Sequence, residues 1–114
     1  MRPKTLEEFK KQLQKAITDQ DIEKFKNLIY YCLFHSSPKY NKTTGRRYCP
    51  ECPLSDENGP LELMGHDVAD TCLLVSMRYA YWNYAFHHMT SKKTALAILV
   101  CDGIKLLAYL ESKG

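Results

Sequence analysis

Residues 32–52 read Cys-Leu-Phe-His-Ser-Ser-Pro-Lys-Tyr-Asn-Lys-Thr-Thr-Gly-Arg-Arg-Tyr-Cys-Pro-Glu-Cys, and this stretch organises the chain. Cys32 and His35 stand three apart, so at the end of a helix they share a face. Cys49 and Cys52 stand three apart around Pro50, whose ring fixes a tight knuckle from which both sulfurs can reach one ion. Zinc takes four such ligands tetrahedrally, and three thiolates with one imidazole form a common structural set. The spacing therefore points to a structural Zn2+ at Cys32, His35, Cys49 and Cys52, with no open position for catalysis. The plain alternative makes Cys32 a core side chain on the Ile22, Phe25, Ile29 face, since free cysteine packs well. Cys49 and Cys52 are then a lone redox pair or a partial site. His66 and Cys72 are the substitutes if one of the four is not a ligand.

Helical periodicity runs outward from this stretch on both sides. Thr5 with Glu8 three residues later makes a capping-box pattern, and Leu6, Phe9, Leu13, Ala16 and Ile17 form an apolar stripe to about Thr18. Thr18-Asp-Gln-Asp is a short link whose side chains can cap a second helix. That helix buries Ile22, Phe25, Leu28, Ile29, Cys32 and Leu33 and is expected to end near His35, before Pro38. A tight link makes the two an antiparallel hairpin. A third helix is expected to begin between Leu61 and Asp67 and to run to about His88. Its apolar stripes, Val68, Cys72, Val75, Tyr79, Trp82, Phe86 and Leu73, Met77, Ala80, Tyr84, leave it apolar nearly all round. Such a helix is central to a core or shared with a partner, which predicts a homodimer. Thr90-Ser91 offers a cap for a fourth helix from Lys92 to about Glu111, burying Leu96, Leu99, Val100, Leu107 and Leu110, with Gly103 allowing close helix contact. Cys72 and Cys101 read as core. No strand alternation is visible, so the expected fold is all-α: a single four-helix bundle-like domain over residues 1–114, with a zinc-pinned long loop between the second and third helices.

The block Cys49-Pro-Glu-Cys-Pro-Leu resembles the knuckle of small uncharacterised zinc proteins of phage and virus genomes, which carry Cys-x2-Cys, a spacer, then Cys-x2-Cys-Pro-Leu. The resemblance covers Cys32 to Leu54 and departs at His35, where the pattern has cysteine. It implies zinc at Cys32, His35, Cys49 and Cys52, and no activity.

Length and charge narrow the rest. A chain of 114 residues can bury a core of its own, so a metal would be a staple and not a necessity. With 45% hydrophobic and 25% charged residues the composition is that of a globular protein. The net charge is only +3, but it is unevenly spread. Ser36 to Tyr48 holds Lys39, Lys42, Arg46 and Arg47 and no acid; Cys49 to Met77 holds Glu51, Asp56, Glu57, Glu62, Asp67 and Asp70 and no base. The start shows no signal peptide, and no apolar run is long enough to span a bilayer. A reduced cytoplasmic setting is expected, where paired cysteines favour metal over disulfide.

Three classes of function remain. Lys39, Tyr40, Lys42, Arg46 and Arg47 suit phosphate contact and base stacking, which points to nucleic acid as partner, with Lys10, Lys11 and Lys15 as an extension of the patch. The bland reading is a solvated loop. A protein partner is the alternative: an adaptor or inhibitor, viral by the resemblance, acting through surplus apolar helix surface. An enzyme using Glu62, His66 and Asp70, spaced four apart, is the least favoured, because such a row is more often a solvated helix face. His87 and His88 suit a helix C-terminus, where an imidazole complements the dipole.

Overall fold

A computed structural model describes residues 3–30, 39–64 and 71–113. Among them the chain forms four α-helices and one two-stranded sheet, in the order α1 (Leu6–Asp19), α2 (Ile22–Ile29), β1 (Lys39–Asn41), β2 (Arg46–Tyr48), α3 (Val75–Ala85) and α4 (Lys92–Lys113).

The first hairpin forms as its sequence dictates. Thr5 Oγ1 accepts from the Glu8 N–H at 3.2 Å, and Glu8 reaches back to the Lys4 N–H at 2.8 Å. Gln20 turns the chain in the left-handed region at φ 48°, and Asp21 then caps α2 by accepting from the Glu23 N–H at 3.0 Å. Phe9, Leu13 and Ala16 face Ile22, Phe25, Leu28 and Ile29 in one core. Ser91 caps α4 through the Thr94 N–H at 3.1 Å. α4 packs along α3 and α1 and also touches α2. At Gly103 α4 lies close against the first hairpin: a Cβ there would lie 3.3 Å from both Ile17 and Phe25. The close helix contact expected at Gly103 is present.

Three expectations are corrected. The segment from Lys39 to Arg47 is not a structureless loop; it is an antiparallel hairpin with Lys39 opposite Tyr48, Tyr40 opposite Arg47 and Asn41 opposite Arg46. Asn41 builds the turn, its side-chain oxygen accepting from the Thr43 and Thr44 N–H groups at 2.9 and 3.3 Å. Gly45 closes it at φ +74°, a conformation that disfavours other residues. The third helix starts only at Val75, because Leu54, Leu63, Met64, Leu73 and Leu74 are buried as non-helical chain. These side chains tie the long connection to the core. Cys101 is exposed on α4, whereas Cys72 is half-buried and precedes α3. The expected extension of the second helix to His35 lies outside the described residues.

The connection is also latched to the end of the chain. Leu54 and Asp56 pair with Leu73 and Thr71 through N–H···O bonds of 2.9 Å. The Asp56 carboxylate accepts from the Tyr109 hydroxyl at 2.6 Å and pairs with the Lys113 ammonium on the last turn of α4. Burial pushes the Asp56 carboxyl up, but the bonds from Lys113 and Tyr109 outweigh it and hold it below its ordinary value. The Tyr109 hydroxyl is correspondingly pushed up, mainly by its bond to Asp56. A depressed carboxyl contributes stability above its unfolded pKa and loses it as pH falls through the folded value. Asp56→Asn is therefore expected to cost about 1–2 kcal/mol at neutral pH. The gap to wild type should close below about pH 4 in urea titrations run across pH. A gap that is the same at pH 3 and pH 7 would remove the charge from the account.

Candidate functional site

The knuckle is a turn held by its own backbone. The Cys52 N–H donates to the Cys49 carbonyl at 3.1 Å, and the Ser55 N–H to the Cys52 carbonyl at 3.1 Å. Both cysteines are half-buried, and Cys52 packs against the core. A relay of hydroxyls fixes the knuckle to the hairpin. The Thr71 hydroxyl, on a residue 1% exposed, donates to the Arg47 carbonyl at 2.9 Å. That uses its one proton, so Ser55 Oγ donates to Thr71 Oγ1 across 2.8 Å. Ser55 Oγ then accepts from the Cys49 N–H at 3.0 Å. The hairpin thus leads directly into the cysteine turn and is bonded to it through Thr71 and Ser55.

A second set of contacts ties the end of α2 to α3 and, through it, to Cys72. Arg78, on α3, donates from Nε to the Ile29 carbonyl at 2.6 Å and from Nη1 to Cys72 Sγ at 3.4 Å. Cys72 in turn bridges to Ser55, the residue that binds the Cys49 N–H. On the other side, Lys39 pairs with Tyr48, the neighbour of Cys49. The chain before residues 31–38 is thus held by Arg78 of α3, and the chain after them pairs with the residue next to Cys49. Cys32 comes three residues after Ile29 and His35 four before Lys39. Cys32, His35 and His66 lie outside the described residues. Among the described residues no group of three or more His, Cys, Asp or Glu side chains is placed to hold a metal, so Cys49, Cys52 and Cys72 do not complete one by themselves.

Strand parity separates the two arginines of the hairpin. Tyr40 and Arg47 are a cross-strand pair on the outer face, both exposed, with Tyr40 at 63%. Lys39 and Lys42 are exposed as well. Arg46 faces the other way and is half-buried. Its Nη1 donates to the Glu57 carbonyl at 2.7 Å and its Nη2 lies 3.6 Å from Met64 Sδ. Asn41, opposite it, donates to the Glu57 carboxylate at 3.3 Å. Arg46 thus fastens the hairpin to the acidic connection. Parity within the hairpin carries this distinction; a count of charges does not.

The Glu62, His66, Asp70 row does not begin on a helix. Glu62 sits in the turn-rich segment before α3, exposed and paired with Lys105 at 3.7 Å, while His66 and Asp70 lie outside the described residues. No helix among the described residues is long and apolar enough to cross a membrane. Compared with known protein families, curated proteins and solved structures, the chain matches none.

Proposed function

We propose that this chain is a small zinc-stabilised helical protein that binds nucleic acid through the outer face of its hairpin. The observation that carries the reading is the Tyr40–Arg47 pair, exposed on a hairpin that hangs from the Cys49–Cys52 turn. The ring offers a stacking surface and the guanidinium a planar cation beside it, with Lys39 and Lys42 at the edge and the turn. The proposed zinc ligands are Cys32, His35, Cys49 and Cys52. In support, the described knuckle presents two thiols from a hydrogen-bonded turn, and the strand that follows the segment carrying the other two pairs Lys39 with Tyr48, beside that turn. The ion would close the base of the hairpin and lower the entropy cost of binding with it.

Fluorescence anisotropy against a labelled single-stranded oligonucleotide, with salt as the variable, tests the reading. With three exposed cations, log Kd is expected to rise against log salt with a slope of about 2. Arg47→Glu and Tyr40→Ala are each expected to weaken binding about tenfold, Tyr40→Ala with the melting temperature nearly unchanged. Arg46→Ala should do the reverse, lowering stability by about 1 kcal/mol through loss of its bond to the Glu57 carbonyl. Absence of salt-dependent binding would end the nucleic-acid reading. The alternative, a protein-interaction adaptor, rests on Tyr79 within α3 and on Phe86 and Met89 just after it, which are 50%, 53% and 72% exposed. No arrangement among the described residues favours an enzyme.

A further inference from the structure

α4 is apolar on two opposite sides. Ala95, Leu99, Leu106 and Leu110 face the core. On the far side Ala97, Cys101, Ile104 and Ala108 are exposed, and they follow one another at steps of four, three and four residues. That is the seam of a helix pair, repeating every seven residues. Ile104 is 53% exposed, and Ile98 beside the seam 39%. Between Lys93 and Glu111 the seam itself carries no charge; Lys105 stands at its edge, turned to Glu62. A helix apolar all round belongs in a core or against a partner, and here one side of it is bare.

We propose that the occupant is a second copy of this chain, packed through α4 in antiparallel fashion about a two-fold axis. Two features single out a copy of itself. First, the seam is self-complementary about the middle of the 22-residue helix, between Asp102 and Gly103. Reversal about that point sets Ala97 against Ala108 of the other copy and Cys101 against Ile104, small against small and small against large. Second, the charges at its ends are opposite. Lys93 precedes the seam and Glu111, 62% exposed and 3.9 Å from Lys10 of its own chain, follows it, so reversal brings Lys93 and Glu111 of the two copies within about a turn of each other. A parallel pair would oppose Lys93 to Lys93 and Glu111 to Glu111. One helix pair over this length is a small interface, at the weak end of specific association, so a micromolar dissociation constant is expected. Nothing in this surface involves the hairpin, and the inference stands apart from the nucleic-acid reading.

Sedimentation equilibrium of the full chain from about one to several hundred micromolar tests it, a range set by the expected weak affinity. The wild type is expected to dimerise, and Ile104→Asp to raise the dissociation constant about 100-fold or more. Lys93→Glu should weaken the dimer, and the double change Lys93→Glu with Glu111→Lys should restore it. A short bismaleimide should link two copies, and Cys101→Ser should abolish the link. Circular dichroism checks that Ile104→Asp keeps its helices; if it does not, Ala108→Glu, at the exposed end of the seam, replaces it. A chain that stays monomeric throughout overturns the proposal and leaves the face to a different protein. A dimer unmoved by either substitution places the interface elsewhere. Failure of the charge exchange to restore association overturns the antiparallel order.

Discussion

Serine in place of both Cys49 and Cys52 is expected to abolish metal content, lower stability and loosen the hairpin in one step. The proposed ion ties the chain just beyond α2 to the knuckle across a loop of roughly twenty residues, and a cross-link closing such a loop stabilises by about 3 kcal/mol. For a domain of this size that is a fall of roughly 10 °C in melting temperature. The fold is not expected to collapse, because Leu54, Leu63, Met64, Leu73 and Leu74 hold the connection to the core independently of metal. The Asp56 latch to Tyr109 and Lys113 holds it from the other side. Elemental analysis of protein purified without a metal-affinity step should find near-stoichiometric zinc in the wild type and none in the double variant. Hydrogen exchange should then rise in β1 and β2, with α1 and α4 little changed, since local opening reports local support. Absence of near-stoichiometric metal in the wild type removes the site. Metal retained by the double variant places the ligands elsewhere.

Three of the helices are legible because each announces its start locally. The Thr5–Glu8 box, the Asp21 cap and the Ser91 cap fix three of the starts, and the α1 and α2 stripes place Phe9, Leu13, Phe25 and Leu28 correctly in the core. The hairpin was not legible by alternation, since strands of three residues are too short to show a period of two. Its signal lay in turn chemistry: Asn41 to open the turn and Gly45 to close it, between Lys-Tyr-Asn and Arg-Arg-Tyr. Once that turn is recognised, parity sends Tyr40 and Arg47 one way and Arg46 the other. The start of α3 was misplaced because Leu61 to Met64 is as apolar as a helix turn, yet Leu63 and Met64 are buried as irregular chain and Leu74 supplies no side-chain cap. Cys101 was misassigned for a different reason. A helix apolar on every side does not say from periodicity which side turns inward; Gly103, which admits Ile17 and Phe25, was the marker for that side.

That junction carries the largest effect expected of a single substitution. Phe25 is fully buried between α1, α2 and α4, so Phe25→Ala should cost about 3–5 kcal/mol. Typical domains have only about 5–15 kcal/mol in total, so a large part of the stability would go. Gly103→Ala is the informative partner. In the wild type, alanine gains about 1 kcal/mol of helix propensity. Its Cβ, however, meets the Phe25 ring edge and the Ile17 side chain at 3.3 Å, closer than comfortable contact. Ile17 is half-buried and can shift, whereas the ring is fully enclosed and cannot. The two effects nearly cancel, and Gly103→Ala alone is expected to be close to neutral. In a Phe25→Leu background the ring edge is gone and room opens beside residue 103. There the same change should stabilise by about 1 kcal/mol, giving a coupling of at least about 0.5 kcal/mol. Urea denaturation of the four proteins in the cycle, with unchanged m-values, measures it. Strict additivity would mean that Gly103 is set by something other than the ring it accommodates.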